Sequence, residues 1–81
     1  MAGPLVLYYR SECSLCDAMH GELLRSPLID AGRLHRVDID TDPQLQTRYD
    51  HKVPVLADSD GVEICHYFLD QQALEDYFAT H

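Results

Sequence analysis

Leu5-Val6-Leu7-Tyr8-Tyr9-Arg10-Ser11-Glu12-Cys13-Ser14-Leu15-Cys16-Asp17-Ala18-Met19 changes character in mid-stretch, and a cysteine pair stands on the join. Leu5 to Tyr9 is a short apolar and aromatic run with no room for a helix before the Ser11-Glu12-Cys13-Ser14 turn. It reads as a strand buried on both faces. From Ser14 the apolar positions Leu15, Ala18, Met19 and Leu23 fall at helical spacing. Ser26-Pro27 ends that pattern, because a residue before proline is pushed out of the α region. The CxxC motif Cys13-Ser14-Leu15-Cys16 therefore lies at a strand-to-helix junction.

Outward from the junction, Leu34 to Ile39 resumes strand character with Val37 and Ile39 on one face. Asp42-Pro43 supplies an N-cap and a proline at the first helical position, so a short helix is expected over roughly Pro43 to Tyr49. Val53-Pro54-Val55-Leu56-Ala57 and Val62-Glu63-Ile64-Cys65 flank Asp58-Ser59-Asp60-Gly61, whose Asp-Gly step suits the positive φ of a hairpin turn. Asp70 can cap a last helix that turns Ala73, Leu74, Tyr77 and Phe78 inward and Gln71, Gln72, Glu75 and Asp76 toward water. The order β-α-β-α-β-β-α predicts one α/β domain over residues 1–81. Strands joined through helices are expected to pair in parallel and the last two as a hairpin, in a four-stranded mixed sheet with helices on both faces. The first and third strands, with the most continuous apolar runs, are placed at the centre.

The 81 residues carry 14 Asp and Glu against 6 Lys and Arg, a formal net charge of −8. Such a balance repels phosphate backbones and anionic membrane surfaces, and no basic cluster overrides it, so neither nucleic acid nor membrane is expected as a partner. A chain this small buries roughly 60% of its unfolded surface. That allows one modest core with little appended. No apolar run approaches the about 18 residues of a membrane span. The opening Met1–Arg10 has neither a basic leader nor a small-residue cleavage site and is read as mature protein. Three cysteines are too few for a disulfide-stapled secreted scaffold, which points to a cytoplasmic setting and a chemical use for the pair.

At a helix N-terminus, unpartnered N–H groups and aligned peptide dipoles favour a thiolate on Cys13. Cys16, one turn further along the same helix, is within disulfide reach and can resolve a mixed disulfide. Cys13 is thus the expected nucleophile and Cys16 the resolving thiol. Arg10 adds positive charge nearby, while Glu12 and Asp17 oppose it, so a modest depression of the Cys13 pKa is expected.

A CxxC after the first strand of a β-α-β unit, with Val53-Pro54 opening a later strand and Asp60-Gly61 in the turn after it, resembles the thioredoxin-fold superfamily. Within it the chain is similar to small glutaredoxin-like proteins over nearly its whole length, and most to a divergent bacterial branch. The resemblance implies a cis peptide bond before Pro54, a place for Pro54 beside the cysteines, and backbone hydrogen bonds from Val53 to an extended thiol substrate. It departs from glutaredoxins in having Ser14-Leu15 where Pro-Tyr is usual, and from thioredoxins in lacking tryptophan. Counted from the Asp60-Gly61 turn, Cys65-His66 occupies the place of the paired glycines that let backbone approach glutathione. The groove is expected to be bordered by Arg10, the CxxC, Val53, Pro54, Cys65 and His66.

The reading is a monomeric dithiol–disulfide oxidoreductase acting on protein or small-molecule disulfides, with no bound organic cofactor and with glutathione or a thioredoxin system as external reductant. One alternative is a thioredoxin-fold adaptor without catalysis, docking a partner through its acidic surface. Another is a metal site drawing on Cys13, Cys16, Cys65 and His66, against which the redox placement of the pair argues. Cys65 is either a third redox thiol or a small buried hydrophobe. Asp38-Ile39-Asp40-Thr41-Asp42 mimics the start of a calcium loop, but Pro43 stands where glycine is needed and Tyr49 where glutamate is. His20, His35, His51, His66 and His81 show no metal-ligand spacing. Of these only His66, as a modulator of thiol protonation, is a candidate.

Overall fold

A computed structural model describes residues 3–80. His81 lies outside that range. Strand β1 (Leu5–Tyr9) alternates as a doubly covered strand should: Leu5 and Leu7 are buried on one face, and Tyr8 packs into a cluster on the other. Helix α1 (Ser14–Arg25) buries Met19 and Leu23, one turn apart, against Leu5 and Leu7. It stops before Pro27 at Ser26, and the Ser26 N–H donates to Leu23 O at 3.1 Å.

A 3₁₀ turn at Ala31–Arg33 leads into β2 (Leu34–Asp38), which runs parallel to β1 with Leu34 opposite Leu5 and Asp38 opposite Tyr9. The strand stops one residue short of the expected Ile39. The Asp38 carboxylate accepts from Asp40 N at 2.9 Å and starts a second 3₁₀ turn, Ile39–Thr41, with Ile39 buried inside it. Helix α2 (Pro43–Tyr49) has the predicted bounds and cap, with Asp42 Oδ1 accepting from Gln44 N at 2.9 Å.

Strands β3 (Val55–Ala57) and β4 (Glu63–His66) complete a sheet of order β2-β1-β3-β4, with β1 and β3 central. β3 begins two residues later than Val53. Pro54 has no N–H for a ladder, and its carbonyl instead accepts from Tyr67 N at 2.9 Å. β4 is displaced by one residue because Val62 belongs to the turn, where its N–H and that of Asp60 both donate to Asp58 Oδ1 at 2.9 Å. Gly61 has φ +85°, a conformation glycine takes without steric cost.

The direction of β3 corrects the sequence expectation. Although it follows a helix, it pairs antiparallel with β1. Helix α1, with 12 residues, rises about 18 Å. This matches the roughly 17 Å of a five-residue strand and returns the chain to its starting end, as a parallel crossover needs. Helix α2 has seven residues and rises only about 10 Å, so the chain re-enters the sheet at the end it left and must run back.

Helix α3 (Gln71–Thr80) is capped by Asp70, which accepts from Ala73 N at 3.1 Å, and it buries Leu74. One core cluster joins Leu5, Leu7, Met19, Leu23, Leu56, Cys65 and Leu74, which places α1 and α3 on one face. The other joins Ile39, Tyr49 and Val55, with Tyr8, Leu45 and Val53 against it, which places α2 on the opposite face. Each fully buried aliphatic side chain contributes about 1.5–3 kcal/mol of transfer free energy. Among the described residues no helix is long and apolar enough to cross a membrane.

Candidate active site

Register decides what meets at one end of the sheet. Val55 lies opposite Tyr8 on one side and His66 on the other. The exit of β1 toward the cysteines, the entry of β3 after Val53-Pro54, and the exit of β4 into Tyr67-Phe68 therefore share an edge. The Val53–Pro54 peptide bond is cis and Pro54 is buried.

Glu12, at φ +58°, turns the chain out of β1 so that Cys13 becomes the N-cap of α1 in extended conformation. Cys13 Sγ accepts from Cys16 N at 3.1 Å, and Cys13 O accepts from Asp17 N at 3.1 Å. The two Cα atoms are 5.2 Å apart and the sulfurs form a disulfide. The pair is unequal in access. Cys16 is 2% exposed beneath the first turn, whereas Cys13 is half-buried at the rim. Cys13 is thus open to solvent, while Cys16 is shielded from it.

The remaining sequence candidates go to different tasks. Arg10 does not stand free to pair with a thiolate: its Nε is 3.1 Å from Asp40 Oδ1 and its Nη2 is 2.6 Å from Asp50 Oδ1. It ties the end of β1 to the second 3₁₀ turn and to the C-terminus of α2. Val53 packs half-buried against Ile39, Tyr49 and Val55. Tyr8 stacks on Tyr49 at 4.5 Å between ring centroids, under the same edge.

Cys65 and His66, adjacent in β4, point to opposite faces. Cys65 packs with Leu7, Leu56 and Met19, and burial pushes its thiol pKa up. The His66 ring bonds through Nδ1 to Glu63 Oε2 at 2.7 Å, and Glu63 Oε1 takes Lys52 Nζ at 2.5 Å. The Lys52 bond, more than the His66 bond, draws the Glu63 pKa down against the opposing effect of burial. The opposed directions of Cys65 and His66 prevent both from joining Cys13 and Cys16 in one tetrahedral shell. Among the described residues no group of three or more His, Cys, Asp or Glu could hold a metal ion.

The model of the Glutaredoxin-like domain family matches residues 4–79 of this chain. The chain belongs to the glutaredoxin-like domain family. Solved structures agree with that membership. The solution structure of protein Ne2328 from Nitrosomonas europaea has 35% identity and a TM-score of 0.80, covering 95% of this chain and 92% of that one. Target protein XcR50 from X. campestris matches as an X-ray structure, with 35% identity, a TM-score of 0.71 and coverage of 95% and 97%. Its solution structure matches with 36% identity, a TM-score of 0.69 and coverage of 100% and 96%. The curated proteins include no match to this chain. With this fold and membership, the glutaredoxin-like domain presents its CxxC pair in a form suited to redox chemistry.

Tyr67 and Phe68 lie outside every element and motif that the sequence predicts. Tyr67, at φ +63°, donates its N–H to Pro54 O and its hydroxyl to His51 O, and so holds the chain before β3 from both sides of the proline. Phe68 is 69% exposed. The available signal was two aromatic residues between a strand and the Asp70 cap, a place where loops are usually polar. Leu15 of the CxxC, Ala18 and Glu22 on α1 face Tyr67 and Phe68 across a small pocket.

Proposed function

We propose that this glutaredoxin-like domain is a dithiol–disulfide oxidoreductase with Cys13 as nucleophile and Cys16 as resolving thiol. The observation that carries the reading is the unequal exposure of two bridged cysteines on the first turn of α1. In the reduced protein the Cys13 thiolate attacks one sulfur of a substrate disulfide. A Cys13–substrate bond forms, the substrate S–S bond breaks, and one substrate thiolate leaves and takes up a proton. Cys16, after losing its proton, attacks Cys13 Sγ, which closes the Cys13–Cys16 disulfide and releases the second substrate thiol. Two electrons pass from the protein to the substrate, and an external thiol reductant returns them.

The N-terminus of α1 favours the thiolate at Cys13, and the Cys16 N–H directed at its sulfur acts in the same sense. Pro54 and the backbone of Val53 would border the substrate chain on the far side. The reading gives the domain no bound organic cofactor, a monomeric state and a reducing, cytoplasmic setting.

The test is turnover of bis(2-hydroxyethyl) disulfide by the wild type, Cys13→Ser and Cys16→Ser. The wild type should turn over, Cys13→Ser should be inactive, and Cys16→Ser should trap a substrate adduct on Cys13 visible by mass spectrometry. No turnover and no adduct in any form would leave a binding adaptor as the better description.

A further inference from the structure

The pocket that reaches the CxxC through Leu15 is lined by apolar and aromatic side chains and by one carboxylate, Glu22. Leu15 and Ala18, at positions i and i+3 of α1, form one wall, and Tyr67 and Phe68 form the other. Leu15 is 37% exposed, Tyr67 40% and Phe68 69%, so apolar surface that begins within the CxxC at Leu15 faces water. The pocket holds about 90 Å³, well below the roughly 300–1,000 Å³ of small-molecule sites, which is room for a single side chain. Glu22 stands on its wall, and Glu12 and Asp17 flank the cysteines, all exposed and, among the described residues, without an ion-pair partner.

The two cations nearest the CxxC and Pro54 along the chain are already neutralised: Arg10 by Asp40 and Asp50, Lys52 by Glu63. An anionic ligand such as glutathione, with two carboxylates and one ammonium, would meet the Glu22 carboxylate at the pocket and a chain whose formal net charge is −8. A basic segment would meet its complement.

On the exchange reading above, we propose that the substrate is a protein disulfide whose cysteine adjoins a large apolar side chain within a basic segment. The apolar side chain fills the pocket between Leu15 and Phe68, the basic residues face Glu22 and Glu12, and glutathione disulfide is a poor oxidant of the pair. In each encounter the Cys13 and Cys16 thiols lose two electrons and two protons in closing their disulfide, and the substrate disulfide gains them to become two thiols.

The test is the second-order rate of oxidation of the fully reduced domain, quenched by alkylation and read by mass spectrometry. Four disulfides are compared: bis(2-hydroxyethyl) disulfide, glutathione disulfide, and the symmetric disulfides of two short peptides. Both peptides carry phenylalanine beside cysteine, flanked by lysines in one and by glutamates in the other. Each rate is divided by that of 2-mercaptoethanol with the same disulfide, which removes differences in leaving-group chemistry.

The lysine peptide should exceed the glutamate peptide and glutathione disulfide by at least tenfold, and the gap should narrow in 0.5 M salt as surface charge is screened. Phe68→Ser and Glu22→Lys should each reduce the selectivity severalfold. Phe68 and Glu22 are both exposed, so these variants are expected to fold. Equal normalised rates for the two peptides and glutathione, with bis(2-hydroxyethyl) disulfide still oxidising the domain, would overturn the substrate class and leave the exchange reading standing. Failure of all four disulfides to oxidise the domain would overturn both.

Discussion

Reducing the Cys13–Cys16 bridge should destabilise the domain by an amount that follows from where the bridge sits. It closes a four-residue loop, Cys13 to Cys16. In the chain-entropy account, opening so short a loop frees the unfolded chain and lowers the stability of the fold by about 1.9 kcal/mol at 25 °C. The folded reduced form recovers part of this. A thiolate at the N-cap of α1 gains about 0.3–1 kcal/mol from the helix N-terminus, and the Cys16 N–H is already aimed at Cys13 Sγ at 3.1 Å. Glu12 and Asp17, exposed on either side, cut into that gain. The net expectation is an oxidised form more stable by about 1 kcal/mol, which for a domain of this size corresponds to a melting point about 4–8 °C higher. Urea unfolding of the oxidised and fully reduced protein, followed by circular dichroism, measures the difference. Protonating the thiolate removes the offset, so the gap should widen toward 2 kcal/mol at pH 6 relative to pH 9. A reduced form at least as stable as the oxidised one at pH 6 would refute the reasoning, because it would mean that the dithiol makes native contacts the loop argument omits.

Cys65 in the native reduced protein should resist iodoacetamide at pH 8 under conditions that label Cys13 within minutes, since burial both shields its thiol and raises its pKa; labelling of Cys65 as fast as Cys13 would contradict its core placement. Leu74→Ala should cost about 2–5 kcal/mol, because Leu74 is fully buried and is the α3 residue in the core cluster with Leu7 and Leu23; a loss under 1 kcal/mol by urea unfolding would show that α3 is not needed to seal that face. Glu63→Gln should remove at most about 1 kcal/mol, given how exposed the Lys52 contact is. The Glu63 pKa is drawn below its usual value by Lys52 and then His66, so its stabilisation is full above about pH 4.3 and disappears as pH falls through the depressed value. The wild type and Glu63→Gln should therefore differ at pH 6 and converge in acid, and a difference that grows on acidification would reverse the assignment.

Much of this molecule is written locally. The five residues of β1 and the bounds of α2 follow from apolar runs, proline positions and caps, because those signals act over a few residues along the chain. The end of α1 at Ser26-Pro27 and the capping of α3 by Asp70 follow for the same reason. The cysteine pair with its place at a strand-to-helix junction was legible for that reason, and so was the hairpin at Asp60-Gly61. Where two local signals competed, boundaries moved: Asp38 turned Ile39 into a 3₁₀ turn while leaving it buried, and Asp58 drew Val62 out of β4.

What lay beyond local reading needed residues far apart in the chain. The seven residues of α2 are countable in the sequence, but their consequence, an antiparallel β3, depends on where the chain stands when it re-enters the sheet. Arg10 is a cation near Cys13 in sequence, yet Asp40 and Asp50 reach it only after two turns and a helix bring them back. Cys65 and His66 are neighbours in sequence but face opposite sides of a sheet, one in the core and one bonded to Glu63. Composition and local spacing determined the elements, the cysteine pair and the acidic character. Only closure of the sheet decided which charges were neutralised and which thiol was buried. It also decided which apolar side chains were left at the rim, since packing and charge pairing act through space between segments that the sequence keeps apart.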